Sequence, residues 1–123
     1  MQVMALVYGD ASRWDAFSAE ERQAVYAQYR AFADDAGEAS VMVGGGELAS
    51  TRDATTVRVR DGESLVTDGP YAEVKEALGG YFIFECESMD QAVEYAARIP
   101  GAEHGAVEVR PIYVDPAAEA AAS

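Results

Sequence analysis

The chain has 123 residues, half of them apolar, with 22 acidic against 9 basic side chains for a formal charge of −13, and it holds one Cys and one His. One domain is expected at that length, burying roughly two-thirds of the surface its unfolded chain would expose, so no disulfide or metal staple is required. The charge repels phosphate backbones and anionic lipid, which sets nucleic acids and membranes aside as partners. No apolar run approaches the ~20 residues that span a bilayer, and a lone Cys with no basic, apolar leader points to the cytoplasm. Among the apolar residues 24 are Ala, and Leu plus Ile number seven, so Val and the aromatic rings must do most of the packing.

Val3 to Tyr8 is apolar at every position and closes at Gly9-Asp10, the pattern of a strand covered on both faces. A polar connection with Trp14 follows. Ser18 then stands three residues before Glu21, the spacing of a capping box, and Val25, Tyr29, Phe32, Ala33 and Ala36 form the stripe of a helix that Gly37 should end. Residues 41–48 read as a strand in which Gly44-Gly45-Gly46 marks a bulge or the close approach of another backbone or a ligand.

Thr55 to Arg60 and Glu63 to Thr67 alternate around Asp61-Gly62, a type I′ hairpin that sets Arg60 opposite Glu63. After a short polar stretch to Gly79-Gly80, Tyr81 to Glu87 is a strand with Phe82, Phe84 and Cys86 on one face and Tyr81 and Ile83 on the other. Ser88 and Gln91 repeat the capping spacing for a second helix carrying Met89, Ala92, Val93 and Ala96, stopped by Pro100-Gly101. A last strand runs from Ala106 to Val114, and the Ala-rich tail 115–123 is expected to be disordered.

The order β-α-β, hairpin, β-α-β is that of an α+β, ferredoxin-like βαββαβ domain with an extra hairpin. Two helices dry only one face of such a sheet. The strands at 3–8 and 81–87 are apolar on both faces, so a homodimer that pairs two sheets is expected.

Few residues carry chemistry. His104, in a Gly-flanked loop, is read as solvated, and with one His and one Cys no tetrahedral N/S metal site can be built within a single chain, nor do the acidic residues show EF-hand spacing; no metal or cofactor is expected. Cys86 lies between Glu85 and Glu87, which disfavour a thiolate, and is read as core. The densest stretch is Thr67 to Glu76. Asp68-Gly69-Pro70 is turn punctuation in which Asp68 accepts backbone N–H bonds, or else the turn sets a carboxylate, a phenol and a cation (Asp68, Tyr71 and Lys75, beside Glu73) at the mouth of a cavity. Glu108 and Arg110 share a strand face, as an ion pair or as an anchor for a carboxylate-bearing ligand.

Val66-Thr67-Asp68-Gly69-Pro70-Tyr71-Ala72-Glu73-Val74-Lys75-Glu76, with Leu78-Gly79-Gly80-Tyr81 and Val107 to Pro111, resembles the YCII-related domain family, and more narrowly its DGPF branch, with Tyr71 in place of the usual Phe. The resemblance covers residues 2–114 and implies a ferredoxin-like dimeric α+β barrel. Some relatives resemble enzymes of small aromatic or chlorinated compounds, with a His–Asp pair proposed as acid and base. This chain has no His in its first half, and His104 does not align, so the pair is not carried over. Members of the branch occur beside or fused to extracytoplasmic-function sigma factors, which implies a regulatory setting.

The reading that follows is a homodimer binding a small molecule beside the Asp-Gly-Pro-Tyr turn, with proton-transfer or lyase-type chemistry open to it. Asp68 would be base or acceptor, with Tyr71, Glu73, Lys75 and Arg110 as ligand-binding residues. The alternative is a non-catalytic module that contacts a sigma factor.

Overall fold

Val3, Ala5 and Val7 project to one side of the first strand and Met4, Leu6 and Tyr8 to the other, and the chain covers only the first set with helices. The computed structural model describes residues 1–118. In it β1 (Gln2–Asp10) leads into α1 (Ala11–Ala16), α2 (Ala19–Glu38) and β2 (Met42–Glu47). A hairpin follows, β3 (Thr55–Arg60) and β4 (Glu63–Asp68), then β5 (Glu76–Glu85), α3 (Met89–Ala96) and β6 (Ala106–Pro111). Four strands form one antiparallel sheet in the order β2-β5-β1-β6, with β3 and β4 as a separate two-stranded ribbon. With the ribbon set aside, that order and the two β-α-β units are the ferredoxin-like arrangement expected.

The core is an aromatic and alanine layer between the helices and one sheet face. Phe82 and Phe84, two residues apart on β5, stack at 6.2 Å between ring centroids, and Phe32 of α2 meets them edge-on at 5.3 Å and tilted at 6.3 Å. Tyr29 and Tyr95 extend the layer from α2 and α3. Ala5, Ala36, Ala92 and Ala96 are buried among them, letting helix and sheet approach closely. Phe84, Ile99 and Val3 are the largest side chains fully out of water, each contributing about 1.5–3 kcal/mol.

The ends of the elements are set by specific bonds. At the start of α2, Ser18 Oγ accepts from Glu21 N while Glu21 Oε1 accepts from Ser18 N, the complete capping box. At α3, Ser88 Oγ accepts from Gln91 N, but Gln91 Oε1 turns to Glu87 N instead of Ser88 N. The hairpin has the register expected, Arg60 opposite Glu63, with Asp61 at φ 52° and Gly62 at φ 79°. The glycine-rich strand has its bulge between Met42 and Gly44, and a Cβ on Gly45 would lie 2.7 Å from the Tyr81 carbonyl oxygen, so β2 tolerates no side chain there.

Five expectations are corrected. The connection holding Trp14 is a helical turn, α1, because Asp10 Oδ1 accepts from Ser12 N and Trp14 packs edge-on to Tyr26 and Phe17. Gly37 lies inside α2; the left-handed residue past its end is Ser40, at φ 60°. β5 begins at Glu76, five residues early, because Gly80 lets the backbones of β1 and β2 close on it from both sides. Val93 is 51% exposed and stands outside the stripe of α3, where Tyr95 packs instead. The last strand ends at Pro111, short of Val114. Of the tail, Ala117 N donates to Asp115 Oδ1, and 119–123 lie outside the described residues.

Met4, Leu6 and Tyr8 of β1 share the sheet's second face with Tyr81 and Ile83 of β5 and with Glu108 and Arg110 of β6. Among the described residues no element covers that face. Gly44 and Gly46 lie under Ile83 and Tyr81, within 3.5 Å of where a Cβ would sit, so the larger side chains spread over β2.

Two glycines separate the effect of space from that of backbone freedom. Gly37→Ala adds a Cβ in open space inside a helix and should stabilise the protein by about 0.5–1 kcal/mol in urea unfolding. Gly105→Ala would drive a Cβ into the Tyr8 carbonyl oxygen and should cost about 1–3 kcal/mol. Asp10 offers a pH test. The Ser12 hydroxyl, and then its N–H, hold the Asp10 carboxyl below the usual carboxylate range. Its contribution is therefore complete above that range and is lost as pH falls through the lowered folded-state value. Asp10→Asn should melt below wild type at neutral pH, and the gap should close in strong acid.

Candidate functional site

The stretch from Asp68 to Ala77 leaves the hairpin and returns to the sheet, and it forms the wall of an open cleft of about 540 Å³. The turn is built from backbone. Gly69, at φ +103°, donates its N–H to the Ala54 carbonyl at 2.7 Å, and its own carbonyl accepts from Thr56 Oγ1 at 2.8 Å. Glycine is required at Gly69 because that φ lies in the left-handed region. The Asp68 carboxylate, opposite Thr55 at the end of β4, accepts no hydrogen bond among the described residues. The Asx-type turn that would have occupied it is not formed.

The other wall was not visible in the motif. Leu48 N donates to the Gly79 carbonyl at 2.9 Å, which ties the segment after β2 to β5, and a 3-10 turn over Thr51–Asp53 brings Thr51 and Arg52 to face Asp68, Pro70 and Glu73. Ser50 Oγ shapes that turn, accepting from Arg52 N at 3.2 Å and from Arg52 Nε at 3.3 Å. The cleft thus joins two carboxylates, one guanidinium and a hydroxyl to an apolar side made by Ala72, Val74 and Ala77. The run Ser50-Thr51-Arg52-Asp53 was the available signal, a polar cluster just before the hairpin.

The other residues singled out in the sequence lie elsewhere. Tyr71 does not line the cleft; its ring is 75% exposed and lies 4.9 Å below the Arg58 guanidinium of β3. Lys75 is close enough to Asp10 to favour that carboxylate's charged form. Arg110 stands opposite Met4 on β6, two strands from β5 and five residues along β1 from Gly9, the partner of Ala77; that offset is roughly 17 Å. A single chain therefore brings Asp68 and Glu73 together and holds Arg110 apart from them.

The remaining reactive groups offer nothing further. His104 is half exposed, with Nε2 3.9 Å from Glu103 Oε2. Burial pushes the Cys86 thiol up, and Glu85 adds to the effect against the pull of the terminal amine. Among the described residues no three His, Cys, Asp or Glu side chains gather as metal ligands, and no helix is long and apolar enough to cross a membrane.

Comparison with known proteins follows the same outline as the fold. An uncharacterized protein of Rhizobium meliloti (strain 1021) is 36% identical over 114 residues, spanning 91% of this chain and 92% of the relative. The family model of the YCII-related domain matches residues 1–114, which takes in β1 through β6 and both walls of the cleft. The chain belongs to the YCII-related domain family.

Proposed function

We propose that this YCII-related protein is a homodimer of the DGPF branch that binds a small polar molecule in the cleft beside Asp68, with proton transfer as the chemistry open to it. The observation that carries the reading is the Asp68 carboxylate, which faces the cleft with no hydrogen bond from any described residue while Gly69 holds the turn rigid. A carboxylate not used by its fold is free to accept from, or deprotonate, a ligand. Arg52 would hold an anionic or carbonyl group of the same molecule, Glu73 would accept a second hydrogen bond, and Val74 and Ala77 would cover its apolar part. Lys75 and Tyr71 flank this set, steering and shielding the mouth, and Arg110 serves the subunit contact. A cytoplasmic setting fits the buried, unoxidised Cys86.

The second reading, a non-catalytic module docking on a basic region of a sigma factor, draws on α2. That helix exposes Glu20, Asp34, Asp35 and Glu38, an acidic surface away from the cleft.

A thermal-shift screen of small hydroxy, amino and carboxylic acids on wild type and Asp68→Asn separates the two. Compounds that raise the wild-type Tm by several degrees should leave the variant unmoved, and equal shifts in both proteins would remove Asp68 from the site. Salt-sensitive capture of a basic partner by both proteins, with no compound shifting either, would favour the second reading.

A further inference from the structure

The β3–β4 ribbon is the least self-sufficient part of the molecule. Isolated two-stranded hairpins are at best marginally stable in water. Here the two strands pair chiefly with each other, and of their twelve residues all but Thr56 are exposed. Val57 and Val66 face each other across the ribbon with 61% and 64% of their surface in water, beside Val59 on the same side. Leu65 on the other side, and Tyr71 and Val74 at the ribbon's root, are exposed too. Together these side chains leave on the order of 600 Å² in water, against about 800 Å² per partner in a standard interface.

The charge pattern says what kind of molecule covers this surface. From Thr55 to Thr67 the ribbon holds Arg58 and Arg60 against Asp61 and Glu63, and the uncovered sheet face holds Arg110 against Glu108. Both surfaces are locally neutral in a chain of −13, whose acidity is concentrated elsewhere, on α2 for example. A basic protein would be drawn to the acidic helix. The neutral surfaces suit a second copy of the chain, because two such copies meet there without stacking like charge, and a two-fold contact covers ribbon and sheet at once.

We propose that the β3–β4 ribbon is an arm that clasps a second copy of this chain, and that the second copy roofs the cleft beside Asp68. The arm's root is the cleft: Thr51 and Arg52 lead into β3, and Asp68, Gly69 and Pro70 lead out of β4. Asp68 lies on the same ribbon face as Val57 and Val66, so whatever seats against that face abuts the open mouth, and the site of a lone chain is incomplete. The inference rests on the dimer of the proposed function, and it adds that the arm, beyond the flat sheet, makes the contact.

Hydrogen exchange at protein concentrations from about 1 to about 100 µM, with sedimentation alongside, tests it on the wild-type chain. Peptides covering residues 51–59 and 71–77 should gain protection as the dimer forms, and absence of any gain while the dimer forms would overturn the proposal. Val57→Asp with Val66→Asp adds charge where a lone chain already meets water, so its far-UV spectrum should match wild type while dimerisation weakens at least tenfold. A dimer unaffected by that pair would also overturn it. Leu6→Asp keeps the two readings apart. A dimer that survives Leu6→Asp but not the arm variant upholds the arm and refutes the sheet contact, and a wild-type monomer across the range refutes both.

Discussion

The contact of Phe82 and Phe84 with Phe32 orients the rest of the molecule. Two rings from β5 and one from α2 lock the long helix across the sheet, and because β5 pairs with β1 and β2 at once, the same contact settles which face is dry. Parity does the rest. Once Val3, Ala5 and Val7 lie under the rings, Met4, Leu6 and Tyr8 must face away, on the side that no described helix covers. The apolar second face is a direct cost of filling the first.

Much of this could be read in the residues, and the gaps have physical causes. Asp61-Gly62 placed the hairpin to the residue because both positions need φ above zero, and Ser18 with Glu21 placed the start of α2 because a capping box is local. α1 could not be read this way. Six residues do not hold a helix alone, and its supports come from the next helix, Arg22 donating to the Trp14 carbonyl and Tyr26 packing on the ring. The role of Arg52 is not legible in the sequence because its approach to Asp68 depends on the Ala54–Gly69 hydrogen bond, and no periodicity expresses that bond. The separation of Arg110 from Asp68 is not legible in the sequence, because alternation tells which face a residue takes and nothing of strand order.

The candidate site also shows how backbone and side chain divide labour. Gly69 carries both hydrogen bonds that hold the turn, so the neighbouring carboxylate takes no part in it, and Ser50 in turn orients Arg52. Lys75 and Asp10 balance each other at the end of β1, where Asp10 and Glu76 would otherwise face each other as like charges across the ladder. The acidity of the chain is thus locally compensated at the two neutral surfaces, while the cleft keeps one carboxylate in excess.

The irregularity between Val7 and Tyr8 has a bearing on the size of the cleft. Val7 pairs with Gly80 but Tyr8 pairs with Leu78, so Gly79 is an extra residue in β5. Had the ladder run straight through Gly79, Leu78 would stand opposite Gly9 in the place Ala77 now takes, and an isobutyl group would fill the wall that a methyl group leaves open. The capacity of the cleft is set by chain length as well as by composition. A relative whose ladder took Gly79 into the pairing would exchange the lining side chain at this position, and so change what fits inside, without a single substitution.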